Sequence, residues 1–219
     1  MRALVTGGTG RVGSAIVARL ERDGWSVFAA GRPEGDVSQV EEARALVPRA
    51  VRQLGGLDLL VNAAGEGFAA KPVDELEEDD WERAFGATAK GSFFVSQAAA
   101  PHLRAARGCI VMIEDVAAYQ PWPSFAAHCA AKAAQAMLTR VLAKALAPEV
   151  RVCGVAPGPV AVEPGQEERR AAETVLGRTG SPEDVAAAVA YLAGAEFVTG
   201  STLVVDGGRL LQSAPRGTT

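Results

Sequence analysis

Residues 125 to 138 read FAAHCAAKAAQAML, an alanine-rich helical stretch with one histidine and one lysine, His128 and Lys132, four positions apart. Residues at that spacing stand one above the other on a single helix face. Imidazole titrates near neutrality and the lysine ammonium is charged there, so the pair is either solvated decoration or a proton-transfer site. A second candidate lies where the apolar run ALV (3–5) passes into Thr6-Gly7-Gly8-Thr9-Gly10-Arg11-Val12-Gly13. Glycines between a first strand and a first helix allow the tight turn and close backbone approach that a pyrophosphate needs, and the helix N-terminus meets its charge. Gly7, Thr9, Gly10, Arg11, Val12 and Gly13 are therefore candidate cofactor contacts. No GK[ST] follows, so this is not a nucleoside-triphosphate loop. The second apolar run, 25–30, ends at Gly31-Arg32. An acid at this point binds a ribose 2′-hydroxyl, whereas an arginine accommodates a 2′-phosphate. Arg32, with Arg11 as a second positive charge nearby, predicts NADP(H) in preference to NAD(H).

The elements that must hold these residues follow from the hydrophobic pattern. Apolar runs at 3–5, 25–30, 57–64, 109–113, 150–156 and 201–206 are continuous rather than alternating, as in parallel strands buried on both faces. Helical patterns lie between them near 11–23, 37–54, 79–106, 124–147 and 182–193. Such alternation predicts a Rossmann-like, doubly wound α/β sheet in three α/β/α layers. Ser181-Pro182-Glu183-Asp184 reads as a capped helix start. The segment 157–178 begins with clustered Pro and Gly and follows a strand's carboxyl end, the place for a mobile flap over a ligand crevice.

Nothing in the 219 residues divides the chain, so we expect one NADP-binding domain over 1–211 and a flexible tail over 212–219. A formal charge of −4 offers no field for nucleic acid or an acidic membrane. No apolar run reaches the roughly 18 residues of a membrane span. Cys109, Cys129 and Cys153 form no CxxC pair and the two histidines are far apart, so no disulfide framework or metal site is expected. The start, MRALVTGG, carries no targeting pattern, and the expected location is cytoplasmic.

With the downstream motifs added, the chain resembles the short-chain dehydrogenase/reductase family along nearly its whole length. The likeness rests on TGGTGRVG (6–13), Asn62-Ala63-Ala64-Gly65, Lys132, Pro157-Gly158, RTGSPEDVAAAVAYLA (178–193) and VTG…VVDGG (198–208). It implies hydride exchange between a nicotinamide and a small-molecule substrate, and adds Asn62, Ala63, Gly65, Pro157, Gly158 and Val160 as cofactor contacts. It also implies a homodimer or homotetramer built on the long helices. Arg32-Pro33-Glu34-Gly35 joins strand two almost directly to GDVSQVEEARALV, so one helix–strand unit of the family is missing and six strands are expected. Strand two then becomes an edge, and Asp36 lies near the adenine.

The same resemblance locates the family's catalytic Ser, Tyr, Lys and Asn at Asp115, His128, Lys132 and Thr88, so only the lysine is retained. The family's threonine after Pro-Gly is Val162. Asp at the serine position and Arg in the glycine loop are similar to pteridine reductases, which reduce C=N bonds of pterins. Tyr119 and Trp122, in EDVAAYQPWPSF (114–125), are candidate walls for a flat substrate, and Tyr119 is an alternative hydroxyl donor. Imidazole is a competent general acid, but it is about 2 Å shorter than a phenol, and misplacement by about 1 Å costs on the order of a hundredfold. Two functions follow: an NADPH-dependent reductase of a C=O or C=N group using Asp115, His128 and Lys132, or an NADP-binding sensor or assembly protein with an impaired site.

Overall fold

The computed structural model describes residues 1–65, 69–160 and 162–212. Most of the tail expected to be flexible, 213–219, lies outside the described residues. Six parallel strands form one sheet in the order β2-β1-β3-β4-β5-β6. They are β1 (Arg2–Thr6), β2 (Ser26–Ala30), β3 (Leu59–Asn62), β4 (Cys109–Ile113), β5 (Arg151–Pro157) and β6 (Thr202–Val205). The helices are α1 (Arg11–Arg22), α2 (Val40–Leu54), α3 (Glu78–Phe85), α4 (Ser92–Ala106), α5 (Ala126–Leu146), α6 (Glu167–Ala171) and α7 (Pro182–Gly194).

Alternate strand residues feed two cores, which is why the apolar runs are unbroken. Leu4, Leu60, Ile110, Met112 and Val152 pack with Leu46 and Val47 of α2, Val95 and Leu103 of α4, and Leu142 of α5. Ala3, Val5, Leu59, Val61, Val111, Cys153 and Val155 pack on the opposite face with Ile16 and Leu20 of α1 and Val185, Val189 and Leu192 of α7. β1 pairs with both β2 and β3, so the chain order reverses beside it. That reversal opens a crevice at the strands' carboxyl ends, the ligand position of open α/β sheets. β2 is an edge strand, as the short link after Arg32 predicts.

Two helices depart from their expected bounds. The pattern over 79–106 is not one α-helix: α3 and α4 are joined by a π-helical turn, Gly86–Gly91, which carries Thr88. A Cβ on Gly91 would come within 2.7 Å of the Val37 carbonyl oxygen, so this turn lies directly against the segment after β2. α2 begins at Val40 rather than 37, because Asp36 Oδ1 accepts the Ser38 N–H (2.9 Å) and makes a turn first. Among the described residues of 158–178 the one helix is the short α6, which supplies Arg170 to the crevice wall. Among the described residues no helix is long and apolar enough to cross a membrane.

Candidate active site

Beyond β1 the backbone turns tightly into α1. Gly7 has φ +65°, and a Cβ on Gly13 would lie 2.0 Å from the Gly7 carbonyl oxygen, so both positions need glycine. Gly10 caps α1 without a side-chain hydrogen bond, and no acid occupies the first turn. The first N–H groups of the helix thus meet neither a capping side chain nor a competing carboxylate, an arrangement that fits a phosphate. A crevice of about 460 Å³ runs from this loop, lined by Gly7, Thr9, Gly10, Arg32, Asp36 and Lys90 among others. Hydrogen bonds from the Ser38 N–H and hydroxyl hold the Asp36 carboxyl below its ordinary range, with Arg32 and Lys90 adding to the effect. Lys90, on the π turn, and Arg83 give this wall two further cations that no motif marked.

Arg11 does not join Arg32. It lines a larger crevice of about 900 Å³, donating to Glu163 and to the Val162 carbonyl oxygen (3.4 Å), because its position in the first turn of α1 turns it toward the segment after β5. Asn62 likewise leaves the cofactor list as a side chain. It is 2% exposed, donating to Ser96 Oγ (3.0 Å) and Met112 Sδ (3.3 Å), where it ties β3 to α4 and β4. Val12, Ala63, Gly65, Pro157, Gly158 and Val160 line the larger crevice.

Asp115, His128, Lys132, Thr88 and Trp122 line that crevice together. Asp115 follows β4, where its Oδ1 accepts the Ala117 N–H (2.8 Å) and starts a helical turn, leaving Oδ2 for His128. His128 Nε2 lies 3.4 Å from Asp115 Oδ2, with the histidine side chain 8% exposed. One turn along α5, Lys132 Nζ donates to the Ile113 carbonyl oxygen (2.8 Å) and to Gln135 Oε1 (3.1 Å). Burial pulls the Lys132 pKa below its ordinary value, against the opposing charges of Asp115 and Glu114. Lys132 has a third N–H to offer, so the helix face can hold a sugar hydroxyl and move a proton. His128 and Thr88 also border a side pocket of about 310 Å³ lined by Leu76, Phe125 and Ala127.

Tyr119 is not on the crevice wall. Its hydroxyl donates to Glu114 Oε2 (2.9 Å), which removes it as an alternative proton donor at His128. Glu114 is a residue the sequence reading missed. It is 2% exposed and also accepts from Thr139 Oγ1 (2.6 Å) and Thr202 Oγ1 (3.0 Å). Room for it exists because Gly154 faces it, where a Cβ would lie 2.1 Å from Glu114 Oε1. Gln135 was also missed, although its i+3 spacing from Lys132 was visible. Cys129 Sγ lies 3.9 Å from the Trp122 carbonyl oxygen, beside the site without entering its wall. Trp122 itself is nearly parallel to the His128 ring (12°, centroids 6.4 Å apart), and the Arg209 guanidinium lies over it at 4.7 Å.

A parallel sheet with a glycine turn, a switch-point crevice and a basic helix face at its mouth defines a dinucleotide-dependent oxidoreductase type of site. The comparisons with known proteins agree. The family model for enoyl-(acyl carrier protein) reductase matches residues 14–209. A 4-formylbenzenesulfonate dehydrogenase from Comamonas testosteroni is 35% identical over 243 aligned positions, covering 94% of this chain and 96% of that protein. That alignment is longer than this chain, so the relative carries segments the chain lacks. An inactive 2-(S)-hydroxypropyl-CoM dehydrogenase from Xanthobacter autotrophicus is 37% identical, across 89% of this chain and 94% of that one. A 3-ketoacyl-(acyl-carrier-protein) reductase from Brucella melitensis, solved with NADH, matches at a TM-score of 0.90 and 26% identity, covering 95% of this chain and 97% of its own. The chain belongs to the short-chain dehydrogenase/reductase family. Its homologues include dehydrogenases and reductases, and two of the solved ones, the Brucella melitensis reductase and a xylitol dehydrogenase, hold NADH and NAD+.

Proposed function

We propose that this protein is an NADPH-dependent reductase of a C=O or C=N group in which His128 replaces the family's tyrosine as proton donor. The observation that carries this reading is the contact of His128 Nε2 with Asp115 Oδ2 on the wall that also holds Lys132. The glycine turn, the uncapped α1 and the Pro157-Gly158 wall fit the dinucleotide, and Arg32 with Lys90 favours the 2′-phosphate. When bound, the nicotinamide supplies the hydride. Asp115 orients the imidazole, and because Nε2 is the atom that faces Oδ2, a proton held there reaches the substrate oxygen or nitrogen through that carboxylate or one bridging water. Lys132, pinned by Ile113 and Gln135, turns its remaining N–H to the cofactor ribose and keeps positive charge one turn from the reacting atoms. The pterin-like resemblance of Asp115 and Arg11 puts planar C=N heterocycles among the substrates to try. We also propose a homo-oligomer, since α5 exposes Met137 and Val141 and edge strand β6 exposes Leu203 and Val204.

A second reading, a cofactor-binding protein with an impaired site, is favoured by one observation: 3.4 Å is long for a charge-assisted hydrogen bond, so the pair is not tightly preorganised. Stopped-flow NADPH oxidation against dihydrobiopterin, quinones, aldehydes and ketones separates the two. Under the first reading at least one class turns over and His128→Ala lowers kcat by about a hundredfold or more. Wild-type protein inert to every class, with His128→Tyr active on ketones, establishes the second. Equal affinity for NADPH and NADH in a fluorescence titration sinks the argument from Arg32.

A further inference from the structure

We propose that the crevice takes a substrate carrying an oxyanion group, a carboxylate, sulfonate or phosphate, held by Arg209 and Arg170 within one aromatic ring of His128. This rests on the reading of the 900 Å³ crevice as the substrate site, and it specifies what that site selects.

On one part of this wall the guanidinium groups crowd around a single carboxylate. Arg170 Nη1 donates to both oxygens of Glu173 (3.1 and 3.1 Å), and Arg209 Nη1 pairs with the same carboxylate at 2.6 Å. Arg169 Nη1 also reaches Glu173 (3.5 Å), so one carboxylate serves three guanidinium groups. Elsewhere on the crevice Arg11 pairs with Glu163, and Lys132 lies within the field of two carboxylates, Asp115 and Glu114. Two of the three guanidinium groups are also poorly hydrated, since the Arg209 side chain is 14% exposed and that of Arg170 is 30% exposed. Burial and the neighbouring Arg170 draw the Arg209 pKa below its usual value, only partly offset by Glu173, Asp115 and Asp206. A bound anion restores what those two effects remove.

Arg209 is also fixed in place, unlike a surface arginine. Its Nε donates to Gln120 Oε1 (3.4 Å), the same oxygen that accepts the Trp122 Nε1–H (3.3 Å), and its guanidinium covers the Trp122 ring at 4.7 Å. Trp122 in turn is parallel to His128 at 6.4 Å. Among the described residues, Gln120 accepts a hydrogen bond from Arg209 and Glu173 forms its ion pair, which leaves N–H groups of its planar fork for a second oxyanion. The two short ring contacts between the guanidinium and the imidazole limit the substrate to a compact molecule, anionic at one end and reducible at the other.

The test is isothermal titration of the NADP+-saturated protein with two alcohol pairs, 4-(hydroxymethyl)benzoate against 4-methylbenzyl alcohol and 5-hydroxypentanoate against pentan-1-ol. We expect the carboxylate of at least one pair to bind about tenfold tighter or better, with an advantage that shrinks as salt rises. Arg209→Gln and Arg170→Gln should each remove most of that advantage. Glu173→Gln should enlarge it, because the competing carboxylate is gone. Equal affinities within both pairs, no binding of any of the four, or a preference that survives Arg170→Gln and Arg209→Gln together overturns the proposal. Thermal melting and NADP+ titration check that each variant is folded; if Arg209→Gln is not, Arg170→Gln, which leaves the Trp122 contact intact, decides. A protein that prefers the carboxylates yet oxidises NADPH with no carbonyl compound loses the reductase reading and keeps this one. Turnover of neutral ketones without a carboxylate preference does the reverse.

Discussion

At the residue scale, a carboxylate as deeply buried as Glu114 persists only where donors replace its hydration. Tyr119, Thr139 and Thr202 do so from the turn after β4, from α5 and from β6, so a single side chain ties together three segments around the site. Its charge also opposes the burial that lowers the Lys132 pKa. Glu114→Ala strands three hydroxyls at once and should cost about 2–4 kcal/mol, whereas Glu114→Gln keeps the shape and should cost about half as much. Urea midpoints at pH 7 read both, and an alanine variant within about 0.5 kcal/mol of wild type sinks this account. His128 and Lys132 were legible because their meaning is in one helix's periodicity. Glu114 adjoins Asp115 in sequence, yet nothing local says that its carboxylate turns inward. That depends on the missing Cβ of Gly154 on the next strand.

At the scale of elements, the same division holds between what is local and what is not. Strands buried on both faces announce themselves as apolar runs, and the order with β2 at the edge followed from the short link at Arg32-Pro33-Glu34-Gly35. The π turn was illegible, because GATAKG is as suited to an α-helix, and its extra residue per turn is settled against the Val37 backbone. The Arg209–Trp122–His128 stack was illegible for a stronger reason: its members come from the stretch after β6, a loop and α5, and only the assembled fold brings them together. The start of α7 was read correctly and is tested simply. Ser181 Oγ accepts the Asp184 N–H while Asp184 Oδ2 accepts the Ser181 N–H, a reciprocal cap. α7 packs on α1 beneath the glycine turn. Ser181→Ala should lower stability by about 1 kcal/mol with an unchanged denaturant m-value. A change in m instead would mean that losing the cap loosens the whole α1–α7 layer.

At the scale of the whole molecule, stability should rise with pH in both the acid and the alkaline range. Asp58 is held below its ordinary pKa of 3.8 by the Arg2 guanidinium, which bonds both carboxylate oxygens (2.7 and 2.8 Å) where β1 and β3 begin. Asp184 is held low by the Ser181 backbone N–H, and Asp36 by Ser38. In each case the unfolded chain takes up a proton first as pH falls. Their contribution is therefore complete above the ordinary carboxylate pKa and is lost as pH drops through the lower folded values. Lys132 acts in the same direction, at the alkaline end. Its folded pKa lies below the unfolded 10.5, so between the two the unfolded state binds more protons and stability climbs as pH rises. Tyr119, whose pKa burial raises above 10.0, opposes that climb at its upper end, because the unfolded chain loses the phenolic proton first. Subtracting a Lys132→Met variant from wild type isolates the lysine. The variant's advantage should be greatest near neutrality and should fade toward pH 10.5. Asp58→Asn should cost about 1 kcal/mol at pH 7 and progressively less as pH falls through the lowered folded value of wild-type Asp58. Denaturant titrations at intervals from pH 2 to 10.5 measure both limbs in one series. An Asp58→Asn difference independent of pH, or a Lys132→Met difference that grows with pH, would put the proton linkage of this fold elsewhere than in these buried and half-buried charges.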